Sequence, residues 1–146
     1  MAFITNVAGP IICGLEYLAP IGLLGLRLWV ANVFWKSGVN KFQSWDTTLL
    51  LFEHEYQVPI LDVHTAALLA TGTELIFPLM LAIGLGGRFA ALVLFVFNII
   101  AVISYPSLNP AGIEDHQVWG LMLAVLVFYG PGKISVDDLI RRKFMG

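Results

Sequence analysis

Residues 65–105 read TAALLATGTELIFPLMLAIGLGGRFAALVLFVFNIIAVISY, and this stretch decides the fold. Two apolar runs, about Thr65–Gly84 and Arg88–Tyr105, flank the glycines Gly84, Gly86 and Gly87. Each run is close to the roughly 20 residues a helix needs to cross a bilayer. The glycines between them break a helix. Only Glu74 and Arg88 carry charge in the whole stretch. It reads as two membrane spans joined by a tight turn.

Working outward, a further apolar run covers about Pro20–Phe42, with Pro20 suited to a helix's first turn. Downstream, Ser104–Gly112 holds Pro106, Asn109 and Pro110 and precedes a shorter run, about Ile113–Gly130, diluted by His116 and Gln117. Gly130-Pro131-Gly132 closes it. Spans are therefore expected at about 20–42, 65–84, 88–105 and 113–130. The fold class is all-α, an integral membrane four-helix bundle forming a single domain over residues 1–146. Composition agrees: 58% of residues are hydrophobic and 12% charged, against roughly 25% charged in soluble domains. Eight basic and ten acidic residues, net −2, leave no basic surface for nucleic acid. The single Cys13 excludes an internal disulfide, a CxxC redox pair and a multi-thiolate metal site.

Orientation follows the basic residues in short flanks. Lys133, Arg141, Arg142 and Lys143 follow the fourth span, and Arg88 lies between the second and third. Four spans place these on one side, which predicts an inner-membrane protein with both termini in the cytoplasm. Lys36 and Lys41 near the outer end of the first span are exceptions. The first 26 residues contain no Lys or Arg, which argues against a cleaved signal peptide; residues 1–18 are expected as a membrane-surface segment. Ser44–Tyr56 reads as a short extracytoplasmic surface helix, capped by Asp46, with Leu49, Phe52 and Tyr56 turned toward lipid.

Charge inside a bilayer is costly and calls for a partner or a purpose. Arg27 and Glu74 fall at depths that differ by about 5 Å, within reach of an arginine side chain, so an Arg27–Glu74 pair is expected. Pro78 removes the amide that would bond the Glu74 carbonyl, and Thr71, Glu74 and Pro78 share a face. On the first span Arg27, Ala31, Phe34, Gly38 and Lys41 line one face, where Ala31 and Gly38 permit close helix approach. Asn32, Lys36 and Asn40 form a second polar row, and Asn98 and Tyr105 face inward together on the third span. Arg27, Glu74, Lys36, Lys41 and Asn98 are thus the candidate intramembrane polar site. Snorkelling to headgroups also explains Lys36 and Lys41, and an interhelical hydrogen bond is the commoner role for an asparagine such as Asn98. His54, His64 and His116 all fall on the outer side among carboxylates, a ligand chemistry suited to a divalent transition metal, although their spacing matches no metal motif. Trp35, Trp45, Tyr105 and Trp119 lie near the interfaces, as an aromatic belt would.

The order of residues resembles the DoxX family of small bacterial and archaeal membrane proteins. The resemblance rests on Arg27, Phe34-Trp35-Lys36-Ser37-Gly38-Val39-Asn40-Lys41-Phe42, Val58-Pro59 and Glu74. It continues through Gly84-Leu85-Gly86-Gly87-Arg88-Phe89-Ala90-Ala91 to Gly130-Pro131-Gly132-Lys133-Ile134-Ser135-Val136-Asp137. It covers about residues 20–143 and implies a four-helix bundle in the cytoplasmic membrane, with Arg27, Gly38, Lys41, Glu74 and Arg88 at family-typical positions. Trp35–Val58 and the Asn98–Asp115 region look similar to a subgroup that accompanies enzymes making modified metal-binding peptides. Other members or relatives serve quinone-linked sulfur oxidation, terminal oxidases or oxidative-stress complexes. Two functions are open. In one, the bundle binds a quinone through Lys36, Lys41, Trp35 and Tyr105, with Glu74 as proton acceptor, and serves a partner oxidoreductase. In the other, it is a non-enzymatic membrane anchor, assembly factor or permease-like component of a metal- or stress-related system.

Overall fold

The computed structural model describes the backbone of residues 2–144 and the side chains of residues 8–144. Over that range the chain is all-helical, without strands: α1 (Ala2–Gln43), α2 (Trp45–His54), α3 (Val63–Ile83), α4 (Gly87–Ser104), α5 (Pro110–Tyr129) and α6 (Val136–Phe144). Three helices, α1, α3 and α4, are long and apolar enough to cross a membrane. The 20-residue α5 has the length, but Glu114, Asp115, His116 and Gln117 in its first turns keep it outside that group.

Helix α1 departs most from expectation. It runs unbroken for 42 residues with Pro10 and Pro20 inside it, so residues 2–18 are not a separate surface segment and Pro20 does not open a helix. At 1.5 Å per residue α1 is about 63 Å long, roughly twice the hydrocarbon thickness of a bilayer. Among the described residues its early part is unpacked: a Cβ at Gly9 or Gly14 would meet nothing within 4 Å, and Ile11, Leu15 and Leu18 are exposed.

Helix α1 packs on α3, α3 on α4, α4 on α5, and α5 returns to α1. Their shared core holds Val30, Ala31 and Phe34 of α1, Leu81 of α3, Ala90, Ala91 and Leu94 of α4, and Leu123 and Leu126 of α5. The opposite faces expose large apolar side chains, among them Leu68, Ile76 and Leu79 of α3 and Phe89, Val96 and Ile103 of α4. That inside-and-outside hydrophobicity is what acyl chains demand.

Gly38 sets the register between α1 and α3. A Cβ there would lie 2.9 Å from the backbone carbonyl group and the Cβ of Glu74, so only glycine lets the two backbones approach. The Glu74 carbonyl is the one freed by Pro78 four residues on, and α1 covers it. With Gly38 opposite Glu74, Arg27 is displaced by eleven residues, about 16 Å along the helix. The expected Arg27–Glu74 pair therefore does not form. The expectation measured both depths from span ends that the structure does not keep.

Arg27 is instead 2% exposed at the other end of the molecule. Its guanidinium donates to the carbonyls of Pro131 (2.5 Å) and Ile134 (2.8 Å). Gly84, in the left-handed region at φ 73°, leaves room there, since a Cβ would meet Ser135 at 2.5 Å and Arg27 at 2.8 Å. The Asp137 carboxylate accepts from the Gly86 and Gly87 amides at 2.8 Å each, while its own amide donates to the Gly84 carbonyl at 3.0 Å. A carboxylate on the first amides of α4 meets both the open donors and the positive end of the helix dipole. These bonds tie the segment between α5 and α6 to α1 and the α3–α4 turn.

Helix α2 also differs in its contacts. Ser44 is its N-cap and makes no side-chain cap bond, and Asp46 lies in the first turn without capping. The apolar spacing of Leu49, Phe52 and Tyr56 is real, but that face packs on Ala66, Ala67 and Ala70 of α3 rather than on lipid. Asp62 caps α3 by accepting from the Thr65 amide at 3.0 Å. The hydrogen bonding of Thr65 holds its carboxyl below the usual aspartate range.

Candidate functional site

The site grows from the Gly38–Glu74 contact. One turn after Gly38, Lys41 Nζ reaches Glu74 Oε2 at 2.6 Å and Ser37 Oγ at 2.7 Å. Both partners are largely removed from solvent, with side-chain exposures of 13% and 6%. Such a pair is not assembled for stability alone, because desolvating two charges offsets much of their attraction. Thr71, Glu74 and Pro78 are all buried along one face of α3, and the Thr71 hydroxyl has no hydrogen-bond partner.

Two cavities meet at this pair. The larger, about 300 Å³, is walled by Phe52, Tyr56, Ala66, Ala70, Phe97 and Ala101, with Lys41 and Glu74 at its inner end. Leu61, Leu69 and Ile100 also line it and are exposed on the outside of the molecule, so it opens sideways between α3 and α4. The smaller, about 200 Å³, shares Lys41, Glu74, Tyr56 and Phe97 and adds Ser37, Tyr105, His116 and Trp119. Phe52, Tyr56 and Tyr105 form a stack, with ring centroids 4.6 and 4.9 Å apart. The Tyr105 hydroxyl donates to Glu55 at 2.5 Å, and the Gln57 amide donates to the Ser104 carbonyl at 2.7 Å. These contacts fasten α2 and its following loop over the cavity as a roof.

Asn98 closes the far side. Its amide nitrogen donates to the His116 carbonyl at 2.9 Å, and its oxygen faces His116 Nδ1 at 2.7 Å. With the amide nitrogen engaged as donor, the network assigns the proton to Nδ1 and leaves Nε2 as the acceptor of the neutral ring. The imidazole meets Trp119 edge to face at 4.8 Å. Gly120 faces Asn98 across the helix pair, 3.2 Å from where its Cβ would stand.

The DoxX family model matches residues 22–106, more than half of the chain. The chain belongs to the DoxX family. It is also similar to an uncharacterized protein of Haemophilus influenzae, 30% identical over 132 residues that span 85% of this chain and 86% of the relative. No solved structure matches it.

In this DoxX protein the five residues expected to form one intramembrane polar site separate into four places. Lys41 and Glu74 meet. Asn98 stands apart from them, bonded to His116 on the adjacent wall. Arg27 belongs to the opposite end, bonded to backbone carbonyls. Lys36 is exposed on the outer face of α1 and lines neither cavity. Of the four expected quinone contacts, Lys41 and Tyr105 line the smaller cavity, whereas Trp35 and Lys36 do not. The helical rotation explains this: positions 35 and 36 point away from the face that carries Phe34, Gly38 and Lys41.

The histidines do not gather into a metal site. His54 is exposed at the end of α2, His64 is exposed and meets Trp45 edge to face at 5.8 Å, and His116 is taken up by Asn98. Among the described residues, no group of three or more His, Cys, Asp or Glu side chains is placed to hold a metal ion. Their closeness in sequence to carboxylates came from loop composition rather than from convergence. Tyr56, Ser37, Phe97 and Trp119 are site residues that sequence reading missed. Tyr56 had a signal in its three- and four-residue spacing with Phe52 and Leu49, but the spacing does not tell a protein neighbour from a lipid one.

Proposed function

We propose that this DoxX protein is a four-helix membrane bundle that binds a quinone, or a similar lipid-soluble carrier, and serves a partner oxidoreductase in a redox-linked system. The reading places α1, α3, α4 and α5 across the cytoplasmic membrane of a bacterium or archaeon, with both termini inside and α2 at the outer surface. The observation that carries it is the buried Lys41–Glu74 pair at the end of a cavity whose remaining lining is mainly apolar and aromatic and that opens sideways. A quinone arrives from the acyl phase, presents a planar ring and two carbonyl acceptors, and takes up protons when reduced. Lys41 and Tyr56 supply donors for a carbonyl, Glu74 supplies a carboxylate that accepts and returns a proton, and Phe97 lies beside the ring. The 300 Å³ of the cavity is at the lower end of the range for small-molecule sites, about 300–1,000 Å³. Electrons come from the partner.

The test is the quinone content of protein purified from native membranes, measured after solvent extraction, for wild type and for Lys41→Ala and Glu74→Gln. Glutamine keeps the volume and hydrogen bonding of Glu74 but cannot accept the proton. Wild type should retain quinone, and both variants should lose it while remaining folded. Wild type that carries none, and takes up none when it is added, overturns the reading.

One observation favours a second role. The unpacked apolar length of α1 around Ile11, Leu15 and Leu18 offers a face to another membrane protein, as an anchor, assembly factor or permease-like component of a metal- or stress-related system would.

A further inference from the structure

We infer that the cleft between the α3–α4 turn and α6 is a binding site for the headgroup of an anionic glycerophospholipid. The cleft has a volume of about 610 Å³, larger than either cavity at the Lys41–Glu74 pair, and lies at the Arg27 end of the molecule. Its cationic lining residues are Arg88, Lys133 and Arg141. Arg88 lies across Gly130, its Nε 3.0 Å from where a Cβ would stand.

The carboxylates at the cleft are already engaged. Asp137 accepts both first amides of α4, which fills the place where a helix N-terminus would otherwise bind an anion. Asp138 is buried and holds Arg141 at 2.7 Å and Arg142 at 2.6 Å. Arg88 and Lys133 take part in none of the ion pairs among the described residues. Among the described residues, this end of the molecule therefore carries, besides the buried Arg27, five cationic side chains (Arg88, Lys133, Arg141, Arg142 and Lys143) against two side-chain carboxylates whose bonding capacity is used inside the protein.

The surroundings fit a lipid rather than a free anion. Phe89 and Tyr129 line the cleft and are 59% and 75% exposed, giving acyl chains an apolar wall. Helix α6 is strongly two-faced: Leu139, Ile140 and Phe144 are exposed beside Arg141, Arg142 and Lys143. A short helix of this kind lies in the membrane interface. Basic clefts of this kind, between membrane helices and next to such a segment, suit anionic headgroups. Lys133 and Arg88 would flank the phosphodiester, Arg141 would approach it from α6, and Phe89 would lie along the first methylenes. A zwitterionic headgroup would bring a trimethylammonium against the same cations.

The test is titration of full-length protein in neutral detergent with short-chain phosphatidylglycerol, with phosphatidylcholine and inorganic phosphate as parallel ligands. Phosphatidylglycerol should bind, more weakly as salt rises. The variant Arg88→Gln/Lys133→Gln should bind it about 30-fold less tightly, from about tenfold per 1.4 kcal/mol and about 1 kcal/mol per cation near a membrane surface. Phosphatidylcholine should bind weakly and equally to both proteins. If the double variant fails to fold, Lys133→Gln alone, at an exposed side chain, should show about a fivefold loss on the same scale. Equal binding of the two lipids, or of the variants and wild type, overturns the inference. So does inorganic phosphate that binds as tightly as phosphatidylglycerol, which would make the cleft a site for free anions.

Discussion

Arg27 and Glu74 are both ionisable groups buried within the apolar helices, at opposite ends of the α1–α3 contact, and the structure puts them to different uses. Around Arg27 the hydrogen-bond acceptors are backbone: two carbonyls accept its guanidinium, Gly84 makes room for it, and Asp137 knots the adjoining turn to α4. Around Glu74 there is one ion pair, an aromatic roof and two cavities. A buried charge whose partners are main-chain atoms of its own fold fixes a turn. One whose partner is a flexible lysine beside open space remains available to a ligand. Burial alone does not separate these cases, since Arg27 and Glu74 are 2% and 5% exposed.

The largest expected effect breaks the Arg27 end. Arg27→Met strands the carbonyls of Pro131 and Ile134 in a part-buried place, at up to about 1–3 kcal/mol each, so a loss of at most about 2–6 kcal/mol is expected. Arg27→Lys should recover little of it, because a lysine lacks the planar fork that spans two acceptors. Denaturant unfolding of purified protein measures the loss. Any folded Arg27→Met protein should keep its quinone, since the cavities lie about 16 Å away. Loss of quinone at intact fold would show that the two ends do not act separately.

A smaller effect is expected at the other end. Removing one member of a dry buried pair costs about 3–5 kcal/mol. Beside the cavities, water or a bound headgroup solvates the surviving charge, so Lys41→Met and Glu74→Gln should each lose less than that. A double-mutant cycle is the measurement: Lys41→Met/Glu74→Gln should be less destabilised than the sum of the two single losses. A double variant that loses the full sum removes the pair as the organising contact of the site.

Much of this contrast was legible in the sequence, and the rest was not for identifiable reasons. The apolar runs gave α3 and α4 to within two residues at each end, because Gly84–Gly87 and the Ser104–Gly112 segment break helices on both sides. They missed the length of α1, whose Pro10 and Pro20 read as punctuation in water but are carried inside this helix. Gly38 was recognised as a point of close approach; which residue it approached depends on register, and register needs the three-dimensional contact. The error over Arg27 follows from that one gap: aligned on span ends, Arg27 faced Glu74, and aligned on Gly38 it faces Gly84. The roof of the cavity was hidden for another reason. Phe52 and Tyr56 have the periodicity of a surface helix whether they meet acyl chains or alanines of α3. The Gly130–Asp137 segment, by contrast, acquires a physical meaning only with Arg27 and the α3–α4 turn in view.

The smallest effect sharpens the cavity end and lies outside the physiological range. Burial in the first place, and then the charge of Glu74 together with Tyr105 and Glu55, pushes the Tyr56 hydroxyl from its ordinary 10.0 up to about 12. In the unfolded chain the phenol ionises at its ordinary value. A group whose folded value is raised contributes stability that is complete below the unfolded value and is lost as pH climbs toward the folded one. The contribution of Tyr56 should therefore be intact up to pH 10 and disappear between pH 10 and about 12. Lysines titrate in the same window, so the informative quantity is the difference in unfolding temperature between wild type and Tyr56→Phe, followed with pH. Glu74→Gln removes the second cause but not the first, so it should lower the Tyr56 midpoint without returning it to 10.0. Wild type and Tyr56→Phe that lose stability in parallel across this window would place Tyr56 in ordinary solvent and take the roof off the cavity. A midpoint near 12 keeps Tyr56 a neutral phenol, able to donate a hydrogen bond, at every pH at which the protein works.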